Sequence, residues 1–166
     1  MNDPMRILKA DHREVKTLLT KLGETDEGAE REKLADEVVT KLTAHMEMEE
    51  AIIYPPVKKE VGAEDEEEAE IEHGLAREGL QKMMSLVAAP GFGAAVEMVI
   101  GGIEHHVEEE ETQILPELKE SLTREEWLAL GDALAEAKRA AGLPVPQPQR
   151  RRSTKRATKA KASSKK

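Results

Sequence analysis

Cysteine is absent from this 166-residue chain, which excludes disulfides and thiolate metal sites. Aromatic residues make up only 2%. A core must therefore be assembled from Leu, Val, Ile, Ala and Met, a set that suits packed helices better than a sheet. No apolar run approaches the roughly 18 residues a membrane span requires. The opening Met-Asn-Asp-Pro-Met-Arg lacks the charged-then-apolar pattern of a secretory signal. The expectation is a cytoplasmic protein with no membrane partner. Glycine-rich loops of the flavin or nicotinamide type are missing as well, and no segment shows the alternation of a strand.

What is present divides by charge. The chain carries a formal −9, yet residues 150–166 hold nine Lys and Arg and no acid, so the remainder stands at −18. Pro144-Val-Pro-Gln-Pro-Gln separates the two parts. The pattern predicts a bundle over residues 1–142 and a disordered Pro-then-Lys/Arg-rich tail over 143–166. Such an arm, with no aromatic to stack on bases, suits at most weak, sequence-independent contact with nucleic acid or another polyanion.

Helical periodicity fills the first 142 residues. Asp3-Pro4 reads as a helix start, followed by Leu8, His12, Val15, Leu19 and Leu22 on one face until Gly23. A second helix is expected from about Thr25–Glu27 to Tyr54, its stripe formed by Leu34, Val38, Leu42, His45, Met48, Glu49 and Ile52, with Pro55-Pro56 ending it. The third runs from about Glu64 to Ala88 with Ala69, His73, Ala76, Leu80, Met84 and Val87 aligned. A fourth extends from about Gly93 towards Glu120 through Val99, Ile103, His106, Glu110 and Gln113, with Pro116 inviting a kink. Thr123-Arg-Glu-Glu126 is a capping box that opens a short fifth helix ending at Gly142. Met46, Met48, Met83, Met84 and Met98 read as core filler. The acidic runs at Glu64–Glu72 and Glu108–Glu111 read as solvated faces, Glu110 excepted.

One offset organises the chemistry. His12 recurs 61 residues later as His73, His45 as His106, Glu49 as Glu110, and Pro55 as Pro116. Four of the five histidines belong to this echo. In His-x-x-x-Glu an imidazole and a carboxylate lie one turn apart on the same helix face. Two copies of it, with a further His from each of two other helices, look like the halves of a dinuclear site: imidazole suits iron, copper, nickel or zinc, and a carboxylate can bridge two ions. A closed structural zinc site needs only four ligands, and the ferritin-like bundles use Glu-x-x-His, the reverse order. Burying this set without a metal would cost several kcal/mol per unpaired group. His105-x-x-x-Glu109 also has the spacing, but His105 lies about 100° from the stripe and outside the echo, so it is expected to be exposed or to support the site from behind.

The order His … His-x-x-x-Glu … His … His-x-x-x-Glu over residues 4–142 resembles the hemerythrin-like, or HHE cation-binding, family. The resemblance implies an all-α antiparallel four-helix bundle around two non-haem Fe ions, oxo- or hydroxo-bridged. It implies His12 and His45 on one iron, His73 and His106 on the other, and Glu49 and Glu110 bridging them. Oxygen-carrying members have a further His one turn after the third-helix ligand; here that position is Arg77, and its echo is Lys16. Arginine stays protonated and cannot ligate. Arg77 and Lys16 either snorkel past the site or place positive charge near bound anions. Tyr54 lies about 180° from His45 on an ideal helix, which gives it a packing or surface role unless unwinding before Pro55 turns the phenol inward.

The lost fifth His argues against reversible oxygen carriage. Reductive chemistry on oxygen or nitric oxide needs a donor that the sequence does not supply, whereas disproportionation of hydrogen peroxide needs none. The expected function is therefore a catalase-like activity on peroxide, with Glu49 and Glu110 as catalytic proton carriers. The alternatives are an O2 or NO binding, sensing or storage protein, an iron reservoir, and nitric oxide reduction with an external donor.

Overall fold

The computed structural model describes residues 2–146. Among them the secondary structure is entirely helical: α1 (Pro4–Glu24), α2 (Ala29–Met48), α3 (Tyr54–Glu60), α4 (Ala63–Ser85), α5 (Phe92–Glu109), α6 (Leu115–Ser121) and α7 (Arg124–Ala140). α3 continues α2, and α6 continues α5, each through a single π turn (Glu49–Ile53 and Glu110–Ile114). Four long rods therefore form an antiparallel four-helix bundle. α1 packs on α2 and α5, α4 packs on α5 and on the α2–α3 rod, and α7 lies along α1. The short connections favour antiparallel neighbours.

Pro55-Pro56 does not end the second helix; the chain stays helical to Glu60. Just before the prolines the π turn bonds the Tyr54 N–H to the Glu49 carbonyl and restarts the α-helix there. Both prolines then occupy first-turn positions, where a missing N–H costs nothing. Pro116 stands in the same relation to the second π turn. The wide turns also shift the helical phase. Beyond Glu49 the buried residue is Ile53 rather than Ile52, and beyond Glu110 it is Ile114, while Gln113 faces solvent.

α7 opens with the expected capping box: the Thr123 hydroxyl accepts from the Glu126 N–H, and the Glu126 carboxylate accepts from the Thr123 N–H. The N-terminus crosses α7 at Gly131, where a Cβ would sit 2.1 Å from the Asn2 carbonyl oxygen. The expected tail falls mostly on residues 147–166, outside the described residues. Of its first residues, Leu143 and Val145 pack against the core.

The apolar interior forms two clusters. One gathers Val15, Leu19, Leu22, Val38, Leu42, Met83, Phe92 and Val99. The other gathers Ile7, Leu8, Ile53, Val57, Leu115, Leu118, Trp127 and Leu134. Met46, Met48 and Met83 are core residues and Met84 packs against them, but Met98 is 79% exposed. The helix face carrying Met98 borders a groove between α4 and α5 instead of the bundle axis.

Candidate metal centre

Between the two clusters lies a buried polar layer. α1 supplies His12, α2 His45, α4 His73 and α5 His106, each one or two turns from residues of both clusters. Glu49 and Glu110 open the two π turns and are fully buried. π turns concentrate at functional sites because the extra residue re-aims side chains. Here the extra residue also turns Tyr54 inward, the outcome left open for unwinding before Pro55, and its ring packs in the core as well. The Tyr54 ring is buried and its hydroxyl lies 3.0 Å from His73 Nε2.

The histidines form two pairs. His12 Nε2 lies 3.1 Å from His45 Nε2, and His73 Nε2 lies 3.3 Å from His106 Nε2. Glu49 stands between the pairs. Its Oε1 is 3.0 Å from His45 Nε2 and 3.6 Å from His12 Nε2, and its Oε2 is 3.3 Å from His73 Nε2 and 3.9 Å from His106 Nε2. Glu110 Oε2 is 3.2 Å from His12 Nε2. His12, His45 and Glu49 converge as one triad that could hold a metal ion, and Glu49, His73 and His106 as another.

All four carboxylate oxygens of Glu49 and Glu110 are buried without an aligned hydrogen-bond donor. Orphaned acceptors of this kind are costly, and cations would satisfy them. Burial would strip protons from the imidazoles, but Glu110 and Glu49 outweigh it at His12, lifting its pKa to about 11. Glu49 and Glu72 do the same at His106, to about 10. Burial would raise Glu49 too, yet His45, His106 and His12 hold it well below the usual carboxylate range. The pocket thus draws positive charge inward, and protons and metal ions compete for the same nitrogens. Four imidazoles with two carboxylates form a donor set that could hold metal ions, iron among them.

Behind this layer stands a ring of carboxylates that the reading of the acidic runs as solvated faces overlooked. His12 Nδ1 donates to Glu111 Oε1 at 2.8 Å, His73 Nδ1 to Glu50 Oε1 at 2.9 Å, and His106 Nδ1 to Glu72 Oε2 at 2.8 Å. Asp11 Oδ2 faces His45 Nδ1 at 3.8 Å. With Nδ1 engaged by a carboxylate, Nε2 is left to face the centre, the arrangement that orients histidine ligands. A signal for this ring was present: Asp11 and Glu72 are 61 residues apart, as are Glu50 and Glu111.

Three of these carboxylates meet a Lys or Arg, and the fourth, Glu72, has His105 beside it. The buried Lys138 of α7 donates to Asp11 Oδ1 at 2.6 Å, Arg77 reaches Glu50 at 2.8 Å, Lys9 reaches Glu111 at 3.1 Å, and His105 Nε2 lies 3.4 Å from Glu72 Oε1. Arg77 therefore neither ligates nor merely snorkels; it anchors the acceptor of His73. Its echo Lys16 is exposed and paired with Glu104. The His105 side chain is 64% exposed.

The family model for the hemerythrin HHE cation binding domain matches residues 3–118. The chain belongs to this family. It is 28% identical over 133 residues to an uncharacterised hemerythrin-like protein of Schizosaccharomyces pombe, covering 78% of this chain and 66% of that protein. It is 26% identical over 121 residues to a protein named DNA nickase from Nostoc, covering 72% of this chain but only 34% of that protein. The chain thus spans less than two thirds of either relative. The crystal structure of a hemerythrin HHE cation binding domain-containing protein from Mycobacterium kansasii superposes with a TM-score of 0.75 at 25% identity, covering 86% of this chain and 89% of that one. No helix among the described residues is long and apolar enough to cross a membrane.

Proposed function

We propose that this hemerythrin-like domain holds two iron ions and disproportionates hydrogen peroxide. His12 and His45 would hold one ion, His73 and His106 the other, and Glu49 and Glu110 would be shared between them. Bound iron would supply the two-electron redox couple the reaction requires. The observation that favours a small ligand is the tight space at the centre. A cavity of about 10 Å³ borders all four histidines and is otherwise lined by Val15, Leu42, Met46, Ile103 and Val107. That is room for roughly one water-sized molecule. A centre this tightly packed favours a small oxygen species over a bulky organic substrate.

The protein's own groups are placed for the proton traffic. Two peroxide molecules yield two waters and one O2, so protons must leave one peroxide and reach the oxygens of the other. Burial, reinforced by Glu49 and Glu110, raises the Tyr54 pKa far above its usual value, so its hydroxyl is a retained donor at the His73 side. Glu49 or Glu110 could shuttle a proton through an oxygen not engaged by metal, Glu110 Oε2 lying 3.2 Å from His12 Nε2. The apolar lining keeps bulk water from diluting these exchanges.

The same cavity would admit O2 or NO, which keeps binding, sensing or storage as the second reading. A Clark electrode separates the two. Purified, iron-loaded protein should evolve O2 from added peroxide well above an equal concentration of free iron. A stable adduct with a new absorption band and no O2 release would reject the enzymatic reading. The basic tail, with the likeness to a DNA nickase beside it, makes loose nucleic-acid contact a separate proposal for residues 150–166.

A further inference from the structure

The two halves of the echo differ in what stands outside them. Behind His45 the ring carboxylate is Asp11, locked to the buried Lys138 and covered by α7. Sixty-one residues on, the matching carboxylate is Glu72, and among the described residues α7 packs on α1 rather than on this side. Where the first half has Ala44 and the core residue Met48, the second has His105 and Glu109. His105 Nε2 lies 3.4 Å from Glu72 Oε1 and 3.7 Å from Glu109 Oε2, and the three side chains offer ligand atoms within 4.8 Å of one another. Glu72 Oε2 meanwhile accepts from His106. One carboxylate thus faces His105 at the surface with one oxygen and holds a histidine of the centre with the other.

We propose that Glu72, His105 and Glu109 form a surface capture site for a divalent metal ion and pass it inward to the His73–His106 pair. This rests on the dinuclear reading above. Three protein ligands leave the remaining positions to water, which suits exchange rather than permanent retention, and one imidazole with two carboxylates is a mixed N/O set that accepts Fe²⁺ among other divalent ions. A groove of about 500 Å³ between α4 and α5 is bordered by Glu72, His105, His106 and His73, so surface and centre share one opening. The net charge of −18 outside the basic tail favours arrival of cations. On this side the ion passes Glu72, whereas α7 and the Lys138–Asp11 pair close the corresponding approach behind His45.

The test is anaerobic uptake of limiting Fe²⁺ by the full-length, iron-free chain, followed by its final iron content. H105A and E109Q should each slow uptake about tenfold or more, as expected for loss of a local capture step, while both reach two irons per chain. A Co²⁺ titration should show a third, weaker ion in the wild type that both variants lack. Unchanged uptake rates in both variants would overturn the proposal. So would a lowered final content in H105A, which would make His105 a ligand of the centre itself. Wild-type protein that stops at fewer than two irons contradicts the dinuclear reading and removes the destination, whatever the rates.

Discussion

Replacing His106 by alanine should strip most of the bound iron, whereas alanine at the adjacent His105 should leave the final content nearly unchanged. The two side chains are neighbours in sequence and opposites in environment. His106 is buried, its Nε2 turned to His73 and Glu49 and its Nδ1 held by Glu72. His105 is largely exposed. Without His106 its ion would keep a single imidazole, and the Glu49 Oε2 side of the bridge would lose its counterpart. The loss should exceed the roughly 10–100-fold in affinity that removing an outer partner of a ligand costs. Iron per chain after gel filtration is the readout, with circular dichroism confirming that both variants stay helical. Equal losses from H105A and H106A would mean that α5 is rotated about its axis relative to this structure.

Lys138 carries the second large effect, on stability. Its ammonium is buried against Asp11, far from it in sequence, and ties α7 to α1. Burial alone would raise the Asp11 carboxyl, but His45 and Lys138 hold it below its usual value. Removing the lysine leaves a buried carboxylate without its compensating charge, which typically costs about 3–5 kcal/mol. K138A should show that loss in chemical denaturation of the iron-free protein. The double variant K138M/D11N, with no charge left to strand, should recover much of it. A cost below about 1 kcal/mol for K138A would place the pair among ordinary surface salt bridges and remove the argument that α7 seals that half of the bundle.

The six residues of the polar layer were legible because the echo and the helical stripe select the same positions. His106 and not His105 lies on both, and the structure buries the first and exposes the second. The bundle itself was legible from spacing, caps and the shortage of aromatics. What sequence periodicity missed follows from two physical causes. Periodicity assumes 3.6 residues per turn, so it misplaced everything just beyond Glu49 and Glu110, where a π turn adds a residue: Ile52 for Ile53, Gln113 for Ile114, and Tyr54 on the wrong side. The acidic runs concealed the ring of carboxylates because charge density reads as solvation. Glu72 and Glu111 differ from their neighbours only in which imidazole each one meets. Lys138 had no sequence signal, since its partner comes from the first helix.

On the proposed function two metal ions would sit side by side, each on one histidine pair, with carboxylate shared between them. X-ray absorption at the iron edge of the fully loaded protein tests it most directly. Two irons per chain, a shell of imidazole scatterers averaging two per iron, and iron–iron scattering at a separation of roughly 4 Å or less are expected. A single iron per chain with no metal–metal scattering would contradict it.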